Sequence, residues 1–420
     1  MAKGVFLTYS SYGHINSTLP IVTELIKRKE EIVYFADEVH LETLRRTGAQ
    51  VRAYRRYPHW VKAYPEVSRD DKLRYILNEI YGAVNVNLNR YENNIEAILE
   101  EGPDYIIFDT LCFFGKMIAE KYRIPSISSI PIMLYNDSII DANPKSFLKN
   151  ILLFPESYLN QCKSGELYKH LFRILTRQMA SHYSLKKFNL LDVFNSYGDL
   201  NIVFTSKLFQ RDSDRVDENF RFVGCSLSER PDPFDFSLLK DSYDYSVLIS
   251  LGTTYVNERL DFYQTCIQAF SNTNIQVVMA VGNNIDIGKL GPIPQNIIVR
   301  PIVPQLELLK RVDLFITHGG ANSANESCYF GVPMIVFPLA GDQFDIAERV
   351  CEVGAGIRAD ISDVTPERLK KMTDVVYHDE SYSRHCRLIG ESLREAGGYQ
   401  KAVAEIMEFI KTKIDREGVE

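Results

Sequence analysis

Short apolar runs alternate with amphipathic stretches along this chain, and that alternation limits the fold more than any single motif does. Residues 5–9 read as a strand, 18–29 as a helix and 32–36 as a strand. Residues 39–46 read as a helix, 50–54 as a strand and 71–101 as one long helix. A buried strand at 104–108, a helix at 112–122 and a strand at 126–130 follow. Strands that are apolar throughout and alternate with helices imply a parallel sheet covered on both faces. From 134 to 197 aromatic and aliphatic residues mix with Asn, Ser and Lys, which reads as helices and loops laid over the sheet, a wall suited to an apolar ligand. Closing strands are expected at 202–205 and 220–223.

Residues 226–243, rich in Pro, Asp and Ser, read as a linker. After it the same grammar restarts. Strands are expected at 246–250, 276–280, 297–300, 314–317 and 333–337, with helices at 261–271, 305–310, 322–329 and 343–351. Three helical stretches, 366–377, 381–395 and 400–413, end the chain. The expected organisation is an N-terminal domain over 1–225, the linker, a second domain over 244–398, and a C-terminal helix in 399–420 that returns to the first domain. The fold class is α/β, as two doubly wound domains facing a cleft. In such sheets ligands bind beyond the carboxyl ends of the strands, so motifs there carry the functional argument.

The bulk numbers narrow the classes of function. A chain of 420 residues, 45% hydrophobic and 25% charged, is long enough for two cores. A net charge of −7 argues against nucleic acid and against an anionic membrane surface as partners. Any anion site must therefore be local. Seven scattered cysteines without a CxxC pair fit buried thiols in a reducing compartment rather than a disulfide framework or a zinc site. No stretch reaches the length of a membrane span and the first apolar run is too short for a signal peptide, so a cytoplasmic location is expected.

The strongest local signal lies after the strand at 314–317. His318-Gly319-Gly320 turns the chain, and Asn322 or Ser323 is placed to cap the next helix. Glycines let backbone approach a ligand, and the first N–H groups of a helix carry the positive end of its dipole, so the turn suits a phosphate. His318 is expected to donate from its ring, with Gly320, Asn322 and Ser323 around the anion. Glu326, about one turn into the helix, can accept from ribose hydroxyls. Asp342 and Gln343, at the end of the next strand, can accept from and donate to sugar hydroxyls.

The run HGGANSANESCYFGVPMIVFPLAGDQ resembles the donor-binding signature of the UDP-glycosyltransferase family, closest to its bacterial members that act on macrolides, flavonoids and other small aglycones. The likeness extends over nearly the whole chain. It implies a GT-B fold of two Rossmann-like domains and a UDP-sugar as co-substrate, with no tightly bound cofactor and no metal. Ser250, Gly252 and Thr253 are similar to the family's first loop of the second domain, near the diphosphate. Val303 and Gln305 match its base-binding turn. The family usually has an aromatic residue just before that turn, stacked on the base; here it is Ile302. Loss of stacking is worth on the order of 1 kcal/mol. Uracil is the expected base, and thymine stays open. By the same resemblance Asp342-Gln343 favours glucose.

The first loop, Ser10-Ser11-Tyr12-Gly13-His14, puts His14 beyond the first strand. Transfer with inversion needs a base for the acceptor hydroxyl, and histidine has a suitable pKa range. Asp109 closes the strand over 104–108, where a parallel sheet would bring it beside His14. Both resemble the catalytic pair of the family. The expected activity is transfer of a sugar, glucose by preference, from UDP-sugar to a hydroxyl of a small, partly apolar acceptor. Asp212-Ser213-Asp214 fits a metal-binding D-x-D spelling but sits among arginines and reads as a solvated turn. Trp60 and His59 are placed near the acceptor region, with peripheral packing the stronger reading. A dTDP-sugar transferase, a sugar-nucleotide epimerase and an inactive homologue are the competing readings. A dinucleotide oxidoreductase is weaker, because the first loop lacks GxGxxG.

Overall fold

A computed structural model describes residues 2–55, 72–160, 163–228, 233–252 and 259–417. Thr253, Arg56, His59, Trp60 and Cys162 lie outside these residues. The chain forms two compact units, Met1–Leu227 with Ala396–Glu420, and Ser228–Glu395.

The first unit begins with β1 (Lys3–Leu7), α1 (Tyr12–Lys27), β2 (Glu31–Ala36), α2 (Leu41–Arg45) and β3 (Gln50–Ala53). It continues with α3 (Lys72–Glu100), β4 (Tyr105–Asp109), α4 (Phe113–Tyr122) and β5 (Ser126–Ile130). Shorter helices follow, α5 (Asp137–Ala142), α6 (Pro144–Ser146) and α7 (Glu156–Leu159), and then α8 (Ser164–His182). Strands β6 (Leu200–Val203) and β7 (Phe220–Phe222) complete a seven-stranded parallel sheet in the order β3-β2-β1-β4-β5-β6-β7. Alternate residues along β1 feed two cores: Phe6 packs with Ile107 and Ile127 on one face, Val5 and Leu7 with Ile106 and Phe108 on the other.

The second unit contains β8 (Tyr245–Ser250), α9 (Leu260–Phe270), β9 (Ile275–Ala280), β10 (Ile297–Arg300), α10 (Gln305–Leu309), β11 (Leu314–Thr317) and α11 (Ala321–Tyr329). It then adds β12 (Met334–Val336), α12 (Gln343–Glu352), β13 (Gly356–Arg358), α13 (Pro366–His378) and α14 (Glu380–Glu395). Its six strands are parallel, in the order β10-β9-β8-β11-β12-β13. The last helix, α15 (Gly398–Glu417), belongs to the first unit, where it packs on α1 and β6 and Ala402, Val403, Ile406 and Ile410 join the core.

Three expectations need correction. Helix α1 starts at Tyr12 rather than at residue 18, so His14 lies in its first turn and not in a loop. Pro20 sits well inside that helix, and hydroxyls of Ser17 and Thr18 bond back to the carbonyls of Gly13 and Ile15 in the turns before it. Helix α11 starts at Ala321 with Gly320 as its N-cap, so neither Asn322 nor Ser323 caps it. Strand β13, three residues with one glycine, carried too short a pattern to be expected at all.

Each sheet has one point where strand order reverses, between β1 and β4 in the first and between β8 and β11 in the second. Chains leave such a point in opposite directions and open a crevice at the carboxyl ends of the two strands. The sequence motifs map onto these two places.

Candidate active site

At the first reversal, β1 runs through Thr8 to Ser11 and into α1, while β4 ends at Asp109. The register pairs Leu7 with Phe108, which sets Asp109 across from the start of the loop that leads to His14. His14 Nδ1 lies 2.7 Å from Asp109 Oδ2. The Asp109 side chain is fully buried and its other oxygen accepts from the Leu111 backbone N–H at 2.9 Å. A carboxylate beside Nδ1 favours the tautomer with the proton on that nitrogen, which in the neutral ring leaves the lone pair on Nε2. That is the tautomer a general base needs. The Tyr9 ring is tilted against His14 at 5.2 Å between centroids and stays exposed. The hydroxyl end of that ring is nonetheless desolvated, which raises its pKa above the ordinary value; the Arg90 charge opposes the rise and Asp109 adds to it.

At the second reversal, β11 delivers Thr317, which pairs with Ser250 of β8. Gly319 has φ +80°, and a Cβ there would lie 2.5 Å from Val336 Cγ1. A Cβ on Gly320 would lie 2.6 Å from His318 Nε2. The pair is thus required both by the left-handed turn and by the imidazole packed over the second glycine. The first intrahelical bond of α11 runs from Ala324 N–H to the Gly320 carbonyl at 3.0 Å. The turn before it, Ala321 to Ser323, is where a helix directs its N–H groups outward along the axis. His318 is half-buried, and desolvation pulls its imidazole down to about 4, opposed by a hydrogen bond to the Ser250 backbone carbonyl. At that value the ring is neutral near pH 7 and carries one N–H, and its Nδ1 lies 3.5 Å from Thr317 Oγ1.

Contacts join some of the other expected donor-side residues to this turn. Gln305 Nε2 donates to Glu326 Oε2 at 2.7 Å and approaches Ser323 Oγ at 3.3 Å, linking α10 to α11. Glu326 is 2% exposed, so its carboxylate is held rather than solvated. Val303 is buried, while Ile302 beside it is 48% exposed, an open aliphatic surface. Ser250 Oγ accepts from Gly252 N–H at 3.3 Å. Asp342 is the N-cap residue of α12, and Gln343 Oε1 accepts from the backbone N–H groups of Leu339 and Ala340 at 2.8 and 3.1 Å. With its carbonyl so engaged, Gln343 offers only its amide N–H groups, next to the acceptor carboxylate of Asp342.

The protein-family model described as UDP-glucoronosyl and UDP-glucosyl transferase matches residues 92–389. The chain belongs to this family. It is a glycosyltransferase that uses a nucleotide sugar. The uncharacterized UDP-glucosyltransferase YojK of Bacillus subtilis (strain 168) is 32% identical over 98% of this chain and 98% of its own. The oleandomycin glycosyltransferase of Streptomyces antibioticus is 26% identical over 95% of this chain and 88% of its own. Among solved structures, CalG4, the calicheamicin glycosyltransferase, matches with a TM-score of 0.77 at 24% identity over 98% of both chains. The glycosyltransferase therefore has the α/β GT-B fold expected from its donor signature.

Among the described residues no helix is long and apolar enough to cross a membrane, and no cluster of three or more His, Cys, Asp or Glu is placed to hold a metal. Asp212, in a left-handed conformation, opens a short 3-10 turn and lies 3.4 Å from Arg215 Nε. A second polar cluster of the glycosyltransferase, the contacts of Arg90, stands behind the β1–α1 loop. Arg90 stands in the middle of a long helix with no motif around it, so no local signal marked it.

Proposed function

We propose that this glycosyltransferase moves a hexose, glucose by preference, from UDP-sugar to a hydroxyl of a small, partly apolar natural product, with inversion at the anomeric carbon. The observation that carries the reading is the 2.7 Å contact between His14 Nδ1 and Asp109 Oδ2 at the carboxyl ends of β1 and β4. His14 Nε2 takes the proton of the acceptor hydroxyl as its oxygen attacks the anomeric carbon. The bond from that carbon to the diphosphate breaks and its electron pair leaves on the phosphate oxygen. Asp109 stabilises the imidazolium that forms. An α-linked donor thus gives a β-glycoside.

The first turn of α11 and Gly320 receive the departing diphosphate through backbone N–H groups. Approach of that dianion also favours protonation of His318, which then gains a second N–H for the phosphate. Glu326, oriented by Gln305, accepts from the ribose. Asp342 and Gln343 accept from and donate to the sugar, the division of roles that the engaged Gln343 carbonyl favours. Val303 backbone groups meet the edge of the base, uracil by preference, and Ile302 packs on its face. A dTDP-sugar is the alternative, which Ile302, adding no aromatic stacking, leaves open. Likeness to the oleandomycin glycosyltransferase supports an antibiotic-like acceptor. No metal enters the scheme, and a cytoplasmic location accords with it.

The test is a thermal-shift screen of UDP-, dTDP- and GDP-sugars, followed by product analysis on a panel of phenols and macrolides. Stabilisation by UDP-glucose above the others and a β-configured glucoside by proton coupling are expected. An α-glycoside would remove inversion, and a preference for dTDP-sugars would replace the donor.

A further inference from the structure

Arg90 of α3 is almost buried, its side chain 12% exposed, yet it stands on none of the motifs. Its guanidinium donates through Nη1 to the Thr8 carbonyl at 3.3 Å, and through Nη2 to Asp37 Oδ2 at 3.1 Å and Ser10 Oγ at 3.4 Å. It lies over the Tyr54 ring, 4.6 Å from the centroid, and Nη1 is 4.0 Å from Cys112 Sγ. The Tyr54 hydroxyl accepts from the Thr8 N–H at 2.9 Å and donates to the Thr8 carbonyl at 3.2 Å. The Ser10 hydroxyl donates to the same Asp37 oxygen. Both ends of the three-residue stretch Thr8-Tyr9-Ser10 are thereby fixed from behind, and that stretch leads directly to Ser11, the N-cap of the helix whose first turn holds His14.

We infer that Arg90, with Asp37 and Tyr54, is a positioning group for the His14 base: it clamps the β1–α1 loop so that the imidazole keeps its distance to Asp109 and its aim at the acceptor hydroxyl. This inference rests on His14 acting as the base. Three features favour positioning over bulk stability. The cation's donors go to the loop backbone and Ser10 rather than to the sheet, so the fork geometry of arginine is used. Tyr54 spends both hydroxyl roles on one residue, Thr8. The loop also carries Tyr9, whose ring touches His14, so a displaced loop shifts the imidazole through a second contact.

The experiment compares Arg90→Met with the wild type on two acceptors, a plain phenol and its nitro-substituted analogue. The nitrophenol is ionised at the assay pH and has no proton for His14 to remove. Arg90→Met should lower kcat on the plain phenol about 100-fold, the scale of an ångström-sized misplacement, with KM for UDP-sugar within about twofold of wild type. On the nitrophenol the loss should shrink to a few-fold, and Arg90→Lys should restore part of the plain-phenol rate, since an ammonium reaches Asp37 but does not span Thr8 and Ser10 as well. Equal losses on both acceptors, or no loss on either, overturn the inference. If Arg90→Met fails to fold, the same comparison on Arg90→Lys and Asp37→Asn decides. His14→Ala is run in parallel: if it turns over the plain phenol at the wild-type rate, the base assignment itself fails, an outcome distinct from any result at Arg90.

Discussion

The His318 imidazole offers a prediction whose size follows from its surroundings. Desolvation holds it at about 4 in the folded chain, against an ordinary value of 6.5. Below pH 6.5 the unfolded chain binds a proton that the folded chain refuses until the pH nears 4. The unfolded state thus binds more protons in that window, so stability must fall as the pH falls through it. At about 1.36 kcal/mol per pH unit the loss at pH 4.5, relative to pH 7.5, comes to about 2.5 kcal/mol, which solvent screening of a half-buried ring trims toward 2. Carboxylates titrate over the same range, so the contribution must be read as a difference between two proteins. His318→Gln keeps an amide N–H for the Ser250 carbonyl but has no proton to gain. Urea denaturation of both proteins at pH 7.5 and 4.5 should show the wild type losing about 2 kcal/mol more than the variant on acidification. Equal losses would mean that His318 titrates normally in the fold, and the desolvated neutral imidazole would be wrong.

Further predictions concern the donor turn and the dyad. Gly319→Ala places a methyl against Val336 and a side chain at φ +80°; a stability loss of about 2–4 kcal/mol in denaturant is expected, together with loss of the thermal shift given by UDP. Ile302→Trp should tighten UDP by about 1 kcal/mol in calorimetry, close to fivefold; unchanged affinity would show that residue 302 does not meet the base. Asp109→Asn should reduce kcat by about 10³- to 10⁴-fold with little change in UDP binding, because the amide can no longer hold the Nδ1–H tautomer.

The parts of the fold legible in sequence are those written in local pattern. The apolar strands β1, β4, β8 and β11 announce themselves, and the Gly319-Gly320 turn is legible because two independent demands, a left-handed φ and a packed imidazole, fall on adjacent residues. The start of α1 was not legible, since Pro20 imitates a helix beginning and the hydroxyl bonds that support the preceding turns leave no periodic trace. His14 and Asp109 were found as residues, but their 2.7 Å contact depends on the parallel register of β1 and β4. Gln305 was assigned to the base turn, yet its amide reaches Glu326, a contact across 21 positions that no spacing rule contains. Arg90 shows the same limit more strongly. Its partners Thr8, Ser10 and Asp37 lie 53 to 82 positions away, and only the stacking of α3 behind the loop brings them together.

The central claim, that His14 oriented by Asp109 removes the acceptor proton, is tested most directly by His14→Ala assayed for transfer and for UDP binding on the same sample. Loss of at least about 100-fold in turnover on an un-ionised hydroxyl acceptor, with the UDP-induced thermal shift preserved, is the expected result. Near-normal turnover on that acceptor would contradict the account.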